Sequence, residues 1–310
     1  MKKNKIHFLN TIWSDAIILQ IDNHYAFIDS GSDFYYPMIK KHLNDLNINK
    51  IDFILLTHFH SDHYGCIANL IGDFKVDNLY LKRYFGLEGS TSGGIESDDS
   101  YINEQIKNYN FILNKAKSNN TIVSFLEKQS NDNFVINFCG HDIELYNINN
   151  DLYDIYNDKN NKYYKQRAFS ENFNSIGIFF MVNNFSVFLA SDLTCQNHEI
   201  DVLNNKAIKL INDIYKRHGI NHIDIYKSCH HGHSHNNPYE LLRLINPNYT
   251  IITNTNKWVD NFSICKDLKQ INPNCKILLT DYQKYIFKIE KQIEYQKIDD
   301  ISLFIILEKE

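Results

Sequence analysis

The chain has 310 residues, 43% of them hydrophobic and 22% charged, so it is long enough to bury a sizeable core in one large domain or two small ones. Its formal net charge is −5, which lacks the basic excess of proteins that grip a phosphate backbone, so a nucleic-acid partner is not expected. No apolar run approaches about 18 residues, and the basic residues at 1–5 precede no apolar signal region, so we expect a cytoplasmic protein without a membrane span.

Short apolar runs and helical spacing alternate along the first half of the chain. They predict strands at 6–9, 16–21, 25–28, 51–56 and 76–81, with helices at 34–46 and 64–71. A Gly- and Ser-rich stretch at 86–94 then precedes a helix that ends near residue 117. We interpret 86–118 as an inserted lid near an active-site mouth, with an ordinary surface loop as the alternative.

The second half repeats this alternation. Strands are predicted at 121–126, 134–138, 143–148, 175–182, 186–190, 223–227, 249–253, 276–279, 285–289 and 301–307, and helices at 206–218, 239–245 and 262–270. No linker divides the halves, so we predict a single α/β domain over 1–310 with two sheets between helical layers.

Four metal-capable side chains directly follow the predicted strand 51–56. The segment THFHSDH at 57–63 contains His58, His60, Asp62 and His63. Imidazole and carboxylate together suit Zn²⁺ and its first-row neighbours. Because an extended backbone projects His58 and His60 to one side and the following turn carries Asp62 and His63 around, this short loop can hold two adjacent metals. The alternative is a solvated His-rich loop.

Three other predicted strands also end in polar residues. Asp29, Asp192 and the pair His230-His231 each follow an apolar run. A single Asp after a strand is usually a turn former. Its recurrence at several strand ends indicates a shared rim, where these side chains meet.

These motifs resemble those of the metallo-β-lactamase superfamily of metal-dependent hydrolases. They are SDAII at 14–18, IDSG at 28–31, THFHSDH at 57–63, ASD at 190–192 and HHG at 230–232. Within the superfamily the chain is similar to the phosphorylcholine esterase catalytic module and to the hydrolase domains of competence DNA-uptake proteins. The resemblance implies an αββα sandwich, two mixed β-sheets between helical layers, with metals at one edge of the sheets.

The resemblance also implies a role for each motif residue and two Zn²⁺ ions per chain, with Mn²⁺ or Fe as alternatives. The implied metal ligands are His58, His60 and Asp192 for one ion and Asp62, His63, Asp192 and His231 for the other. The implied catalytic residues are Asp62, Asp192 and His230, with His230 facing the substrate phosphate or leaving group.

Three further residues complete the implied site. Asp15 and Asp29 would lie behind the ligands and orient them. Trp258 would form an aromatic wall for a choline group, with packing in the core as the alternative. His141 is the sole histidine between His63 and Asp192. It falls in a predicted hairpin turn, which leaves the first metal with an open position that suits catalysis.

Two metals about 3.5–4 Å apart generate a bridging hydroxide near neutral pH, which can attack phosphorus without a serine or cysteine nucleophile. We therefore expect a phosphodiesterase that resembles phosphorylcholine esterase and acts on a small or exposed phosphodiester. A nuclease-like hydrolase and a metal-binding regulatory protein without turnover are the alternatives. The sequence makes no prediction of the oligomeric state.

Overall fold

Two β-sheets lie face to face, with helices on their outer surfaces. The computed structural model describes residues 4–86, 99–127, 133–149, 171–193, 201–254, 263–280, 293–298 and 302–307. Sheet I contains β1 (Asn4–Leu9), β2 (Ala16–Ile21), β3 (His24–Ser30), β4 (Lys50–Leu55), β5 (Lys75–Leu81), β6 (Ile122–Phe125), β14 (Ile293–Ile298) and β15 (Ser302–Leu307). Sheet II contains β7 (Asn133–Phe138), β8 (His141–Tyr146), β9 (Gly177–Val182), β10 (Phe185–Leu189), β11 (Ile225–Lys227), β12 (Tyr249–Ile252) and β13 (Lys276–Leu279).

Both sheets are mixed. Sheet I has the strand order β14-β15-β1-β2-β3-β4-β5-β6, and its strands from β3 to β6 are parallel. Sheet II has the order β13-β12-β11-β10-β9-β8-β7, and its strands from β10 to β13 are parallel. The carboxyl ends of parallel neighbours lie at the same edge of a sheet, so the loops after β3, β4, β10 and β11 can meet.

Seven helices flank the sheets in the described chain. Those beside sheet I are α1 (Tyr36–Asp45), α2 (Ser61–Tyr64), α3 (Ile67–Asp73) and α4 (Asp99–Ser118), and those beside sheet II are α5 (Asp201–His218), α6 (Tyr239–Ile245) and α7 (Ser263–Ile271). None of these helices has both the length and the apolar character that crossing a bilayer requires.

Three apolar clusters fill the spaces between the four layers. The central cluster includes Ile17 and Phe180 from the facing sheets. The next residue along β2, Ile18, belongs instead to the cluster beneath the helices of sheet I. Successive side chains of a strand point to opposite faces, so a strand covered on both faces becomes a continuous apolar run. This arrangement confirms the predicted αββα sandwich.

The predicted helix at 64–71 is wrong in its boundaries. The chain forms α2, which starts at Ser61, and then α3, with a break at Gly65 and Cys66. Gly65 packs against backbone: a Cβ atom added there would lie 2.7 Å from the Ser61 carbonyl oxygen and 2.8 Å from that of Gly31. Strand β14 was not predicted, and the predicted strand at 285–289 lies outside the described residues.

The described part of the predicted lid is a helix of the outer layer. Residues 87–98 lie outside the described chain, but α4 packs beside sheet I through Ile112 and Ala116. Its first half reaches the end of α2, where the Tyr64 hydroxyl donates to Gln105 Oε1 at 2.6 Å and accepts from Asn108 Nδ2 at 3.0 Å. The interpretation of 86–118 as a lid remains a prediction.

Candidate metal centre

Loops from both sheets converge at one edge of the sandwich. Sheet I contributes the loop after β4 and the start of α2, and sheet II contributes the loops after β10 and β11. One donor atom each from Asp62, His63, Asp192 and His231 lies within 4.8 Å of the other three. The side chains of all but Asp62 are almost fully buried. These are the residues that the family resemblance implies for the second metal.

Four distances among these donors lie near the spacing of ligands on a single tetrahedral ion. His63 Nε2 lies 3.4 Å from Asp62 Oδ2 and 3.4 Å from Asp192 Oδ2. His231 Nε2 lies 3.1 Å and 3.7 Å from the same two oxygens. A tetrahedral Zn²⁺ ion with bonds of about 2.0–2.2 Å holds its ligand atoms roughly 3.3–3.6 Å apart. The two distances from His63 Nε2 fall within this range, and the two from His231 Nε2 lie within about 0.2 Å of it.

Two buried polar atoms of this cluster have no hydrogen-bond partner. They are His63 Nε2 and Asp192 Oδ1. Buried polar atoms are nearly always satisfied, because leaving one unpaired costs about 1–3 kcal/mol. A divalent cation accepts lone pairs from both atom types, so the residues present fit a metal.

His58 and His60 form a second group beside the first. His58 Nε2 lies 3.1 Å from His60 Nδ1, a spacing near that of two ligands on one ion. Asp192 Oδ2 lies 3.9 Å from His58 Nε2. Asp192 thus lies near both this pair and the other three donors of the cluster.

Asp29 orients the His63 ring through Nδ1, the nitrogen that faces away from the cluster. Its carboxylate accepts hydrogen bonds from Thr57 N at 2.8 Å, from Thr57 Oγ1 at 2.7 Å and from His63 Nδ1 at 2.7 Å. Burial raises the pKa of Asp29, although the neighbouring His63 opposes the shift. With Nδ1 bound in this way, His63 turns Nε2 toward Asp62 and Asp192.

Asp15 and Thr253 play the same part for His231. His231 Nδ1 lies 2.9 Å from Thr253 Oγ1 and 3.3 Å from Asp15 Oδ1, and Thr253 Oγ1 donates to Asp15 Oδ1 at 2.7 Å. His231 Nε2 is thereby directed at the cluster. Asp15 and Asp29 thus each contact the ring nitrogen of a candidate ligand that faces away from the cluster.

The histidines and carboxylates of the cluster shift one another's pKa values. Burial alone would lower the pKa of His231, but Asp192 and Asp15 raise it to about 9. Burial would raise the pKa of Asp192, yet His231 and His63 hold it well below its usual range. The carboxylates therefore stay ionised and attract positive charge, which a metal can supply in place of protons.

His230 and His231 face different surroundings although they are adjacent. Their φ angles are 43° and 49°, so the backbone turns sharply between Cys229 and Gly232. The His230 side chain is 30% exposed and that of His231 2%. His230 Nε2 lies 3.7 Å from Asp192 Oδ2, its Nδ1 lies 3.1 Å from Asn236 Oδ1, and burial lowers its pKa to about 4.

The predictions for His141 and Trp258 have different outcomes. His141 is not in the hairpin turn itself: it is the first residue of β8, opposite Phe138, because the turn consists of Cys139 and Gly140. Trp258 lies outside the described residues. Trp13, which the sequence did not single out, is 37% exposed. Its ring meets the ring of His233 edge-on with 5.6 Å between the centroids, and the centroids of the His233 and His230 rings lie 4.7 Å apart.

Thr57, Thr253 and Lys227 contact the site but were missed. Both threonines lie just past the end of a strand, where a hydroxyl is unremarkable in sequence. Lys227 had a recognisable signal: it is a charged residue that ends an apolar strand four positions before His231. Its side chain is fully buried.

Comparison with known proteins agrees with this architecture. Residues 14–87 match the sequence model of the metallo-beta-lactamase superfamily, a span that includes Asp15, Asp29 and the THFHSDH segment. None of the curated proteins matches the chain. Among solved structures, the chain is similar to the metallo-beta-lactamase fold protein YhfI from Bacillus subtilis, with 10% identity, a TM-score of 0.50 and coverage of 89% of this chain and 96% of that one.

Two other solved structures are similar at lower TM-scores. One is a diphosphatase from the PhnP family, with 11% identity, a TM-score of 0.45 and coverage of 88% and 94% of the two chains. The other is Igni18, a metallo hydrolase from the archaeon Ignicoccus hospitalis, with 12% identity, a TM-score of 0.44 and coverage of 92% and 100%. The family match over residues 14–87 and the similarity to YhfI show that the chain has the metallo-β-lactamase fold.

Proposed function

We propose that this chain is a metal-dependent hydrolase that binds two divalent ions, Zn²⁺ first among them, and cleaves a small or exposed phosphodiester. The observation that carries the proposal is the cluster of Asp62, His63, Asp192 and His231, whose spacing and orphaned buried atoms fit an ion. His58 and His60 would hold the other ion with Asp192. Divalent ions bound there would lower the pKa of coordinated water and polarise a phosphoryl oxygen.

His230 is the residue best placed to handle the substrate. Its contact to Asn236 Oδ1 fixes the ring, and Nε2 points toward Asp192 on the more open side of the site. Because its pKa is lowered to about 4, the ring is neutral at pH 7, and Nε2 can accept a proton from a reacting group. Asn236 thereby selects the tautomer that this role needs.

The aromatic surface near the site supports a substrate with an apolar or cationic group. Trp13 and His233 extend from His230 toward solvent, and Trp13 remains partly exposed. Aromatic faces attract quaternary ammonium groups by about 0.5–2 kcal/mol. A phosphorylcholine ester is the specific version of the proposal, with Trp13 as its aromatic contact in the described chain.

The test is turnover of four substrates by the Zn²⁺- or Mn²⁺-loaded protein. We expect hydrolysis of bis-p-nitrophenyl phosphate and p-nitrophenyl-phosphorylcholine, and little action on single-stranded DNA or a lactone. Asp192→Asn should abolish activity, while His141→Ala, a histidine of the β7–β8 hairpin, should retain it. Preference for DNA would favour the nuclease-like alternative, and no turnover of any substrate by metal-loaded protein would favour a regulatory role.

A further inference from the structure

Lys227 is a fully buried lysine that the proposed chemistry does not use. It ends β11, and its side chain has no solvent exposure. A buried ammonium persists only with a charged partner and further hydrogen bonds. Lys227 Nζ contacts Asp15 Oδ2 as a close ion pair and donates to the Ser191 carbonyl oxygen at 3.2 Å.

The Asp15 end of this pair reaches two residues of the metal cluster. Asp15 Oδ1 lies 3.3 Å from His231 Nδ1 and accepts from Thr253 Oγ1, which itself contacts His231. Asp15 N donates to the Asp62 carbonyl oxygen at 3.2 Å. Asp15 precedes β2 of sheet I and Lys227 belongs to sheet II, so the ion pair joins the two sheets at the edge that carries the metal cluster.

The Ser191 end reaches the proposed bridging ligand. Ser191 directly precedes Asp192 and has a φ of 49°, in the left-handed region that a non-glycine residue keeps only where its surroundings enforce it. Its carbonyl oxygen accepts from Lys227 Nζ and from His230 N at 2.8 Å. Its hydroxyl donates to Thr57 Oγ1 at 2.7 Å. Lys227 is thus one of the groups that hold this turn.

We propose that Lys227 is a positioning residue of the metal centre, whose ammonium fixes His231 through Asp15 and Asp192 through the Ser191 carbonyl. This inference rests on the proposed binding of metal. Asp192 and His231 follow strands of sheet II. Asp62 and His63 lie in α2, which follows β4 of sheet I. The Lys227–Asp15 pair sets the distance between the two halves of the ligand set. Removal of the ammonium leaves the buried Asp15 carboxylate without its counter-ion. The contact between Asp15 and His231 therefore changes.

The experiment compares Zn²⁺ affinity, measured by competition with a chromophoric chelator, in wild type, Lys227→Met and Lys227→Met/Asp15→Asn. The control is Lys82→Met, because Lys82 is also a buried lysine that donates to a backbone carbonyl, that of Asn149, at 2.7 Å. Loss of a partner behind a metal ligand typically weakens affinity about 10–100-fold. We expect that loss for Lys227→Met and less than a twofold change for Lys82→Met.

The double variant separates positioning from a purely structural role. It removes both charges of the Lys227–Asp15 ion pair, so its thermal unfolding temperature should recover toward wild type. Its Zn²⁺ affinity should stay at least about tenfold weaker, and the absorption spectrum of its Co²⁺ form should differ from that of wild type. Recovery of both affinity and spectrum together with stability would overturn the proposal, and so would a double variant that fails to fold.

The remaining outcomes are also decisive. Equal affinity in wild type and Lys227→Met would overturn the role of Lys227 and leave the proposed function standing. A wild-type protein that binds no Zn²⁺ would overturn both.

Discussion

At the scale of single residues, the candidate site depends on backbone conformations that are rare outside glycine. Asp29, Ser191, His230 and His231 all have φ angles between 43° and 56°. Such strain persists where surrounding contacts enforce it, and it clusters at functional sites. Here each strained residue turns its own or a neighbouring side chain into the rim. Most of these positions could be recognised in the sequence from their residue types. Their positive φ angles could not be predicted from it.

The two adjacent histidines give the sharpest prediction at this scale. His231→Gln should lose bound metal, because His231 Nε2 contacts both Asp62 and Asp192. His230→Gln should keep its metal and lower turnover by about 10²–10⁴-fold, the usual contribution of an acid or base. Elemental analysis and kcat of the same preparations check both statements. Loss of metal in His230→Gln with full retention in His231→Gln would reverse the assignment.

At the scale of elements, the break between α2 and α3 sets the direction of the ligand loop. The THFHSDH segment runs from the loop after β4 into α2, and Gly65 ends α2 where it meets the backbone near Gly31 and Asp33. A continuous helix, as the sequence predicted, would not turn here. Helical spacing alone does not show such a break, because the break arises from contact between Gly65 and the loop after β3.

Gly65→Ala should therefore destabilise the protein, while Gly72→Ala in α3 is the matched control. A methyl group at Gly65 meets backbone atoms that cannot move independently, whereas one at Gly72 meets the flexible end of Lys115 at 2.8 Å. Overpacking of this kind typically costs about 1–3 kcal/mol. Urea denaturation should show that loss for Gly65→Ala and a much smaller one for Gly72→Ala. Equal losses would contradict the role given to Gly65.

The contact between α1 and sheet I predicts sensitivity to acid. His7 of β1 and His42 of α1 are buried with 3.3 Å between His7 Nδ1 and His42 Nε2, and burial lowers their pKa values from 6.5 to about 3 and about 4. The folded state thus binds these protons less readily than the unfolded chain. Their contribution to stability is complete above pH 6.5 and is lost as the pH falls toward these lower values.

In metal-free protein this pair should lower the urea midpoint between pH 7.5 and pH 5 relative to a variant that lacks one of the two histidines. The change in midpoint on acidification should therefore be less unfavourable in His42→Gln, which removes one of the two groups, than in wild type. An identical pH dependence in wild type and His42→Gln would show that the pair does not contribute.

At the scale of the whole molecule, the sequence predicted the layered fold and most of the candidate ligands. Both faces of most strands are covered, so their apolar runs were visible, and ligand residues followed those runs directly. The partners of the ligands were less visible. Asp15 meets Lys227 and Thr253 across two sheets and more than 200 residues of chain, and no local pattern encodes such a contact.

The most direct test of the account is the metal content of the whole chain after removal of metal with a chelator and reconstitution with Zn²⁺. Elemental analysis should give two ions per wild-type chain and fewer in His58→Ala, with the largest loss in Asp192→Ala because Asp192 lies near both ligand groups. Wild-type protein that takes up no metal, or an Asp192→Ala variant that retains two ions, would contradict the account.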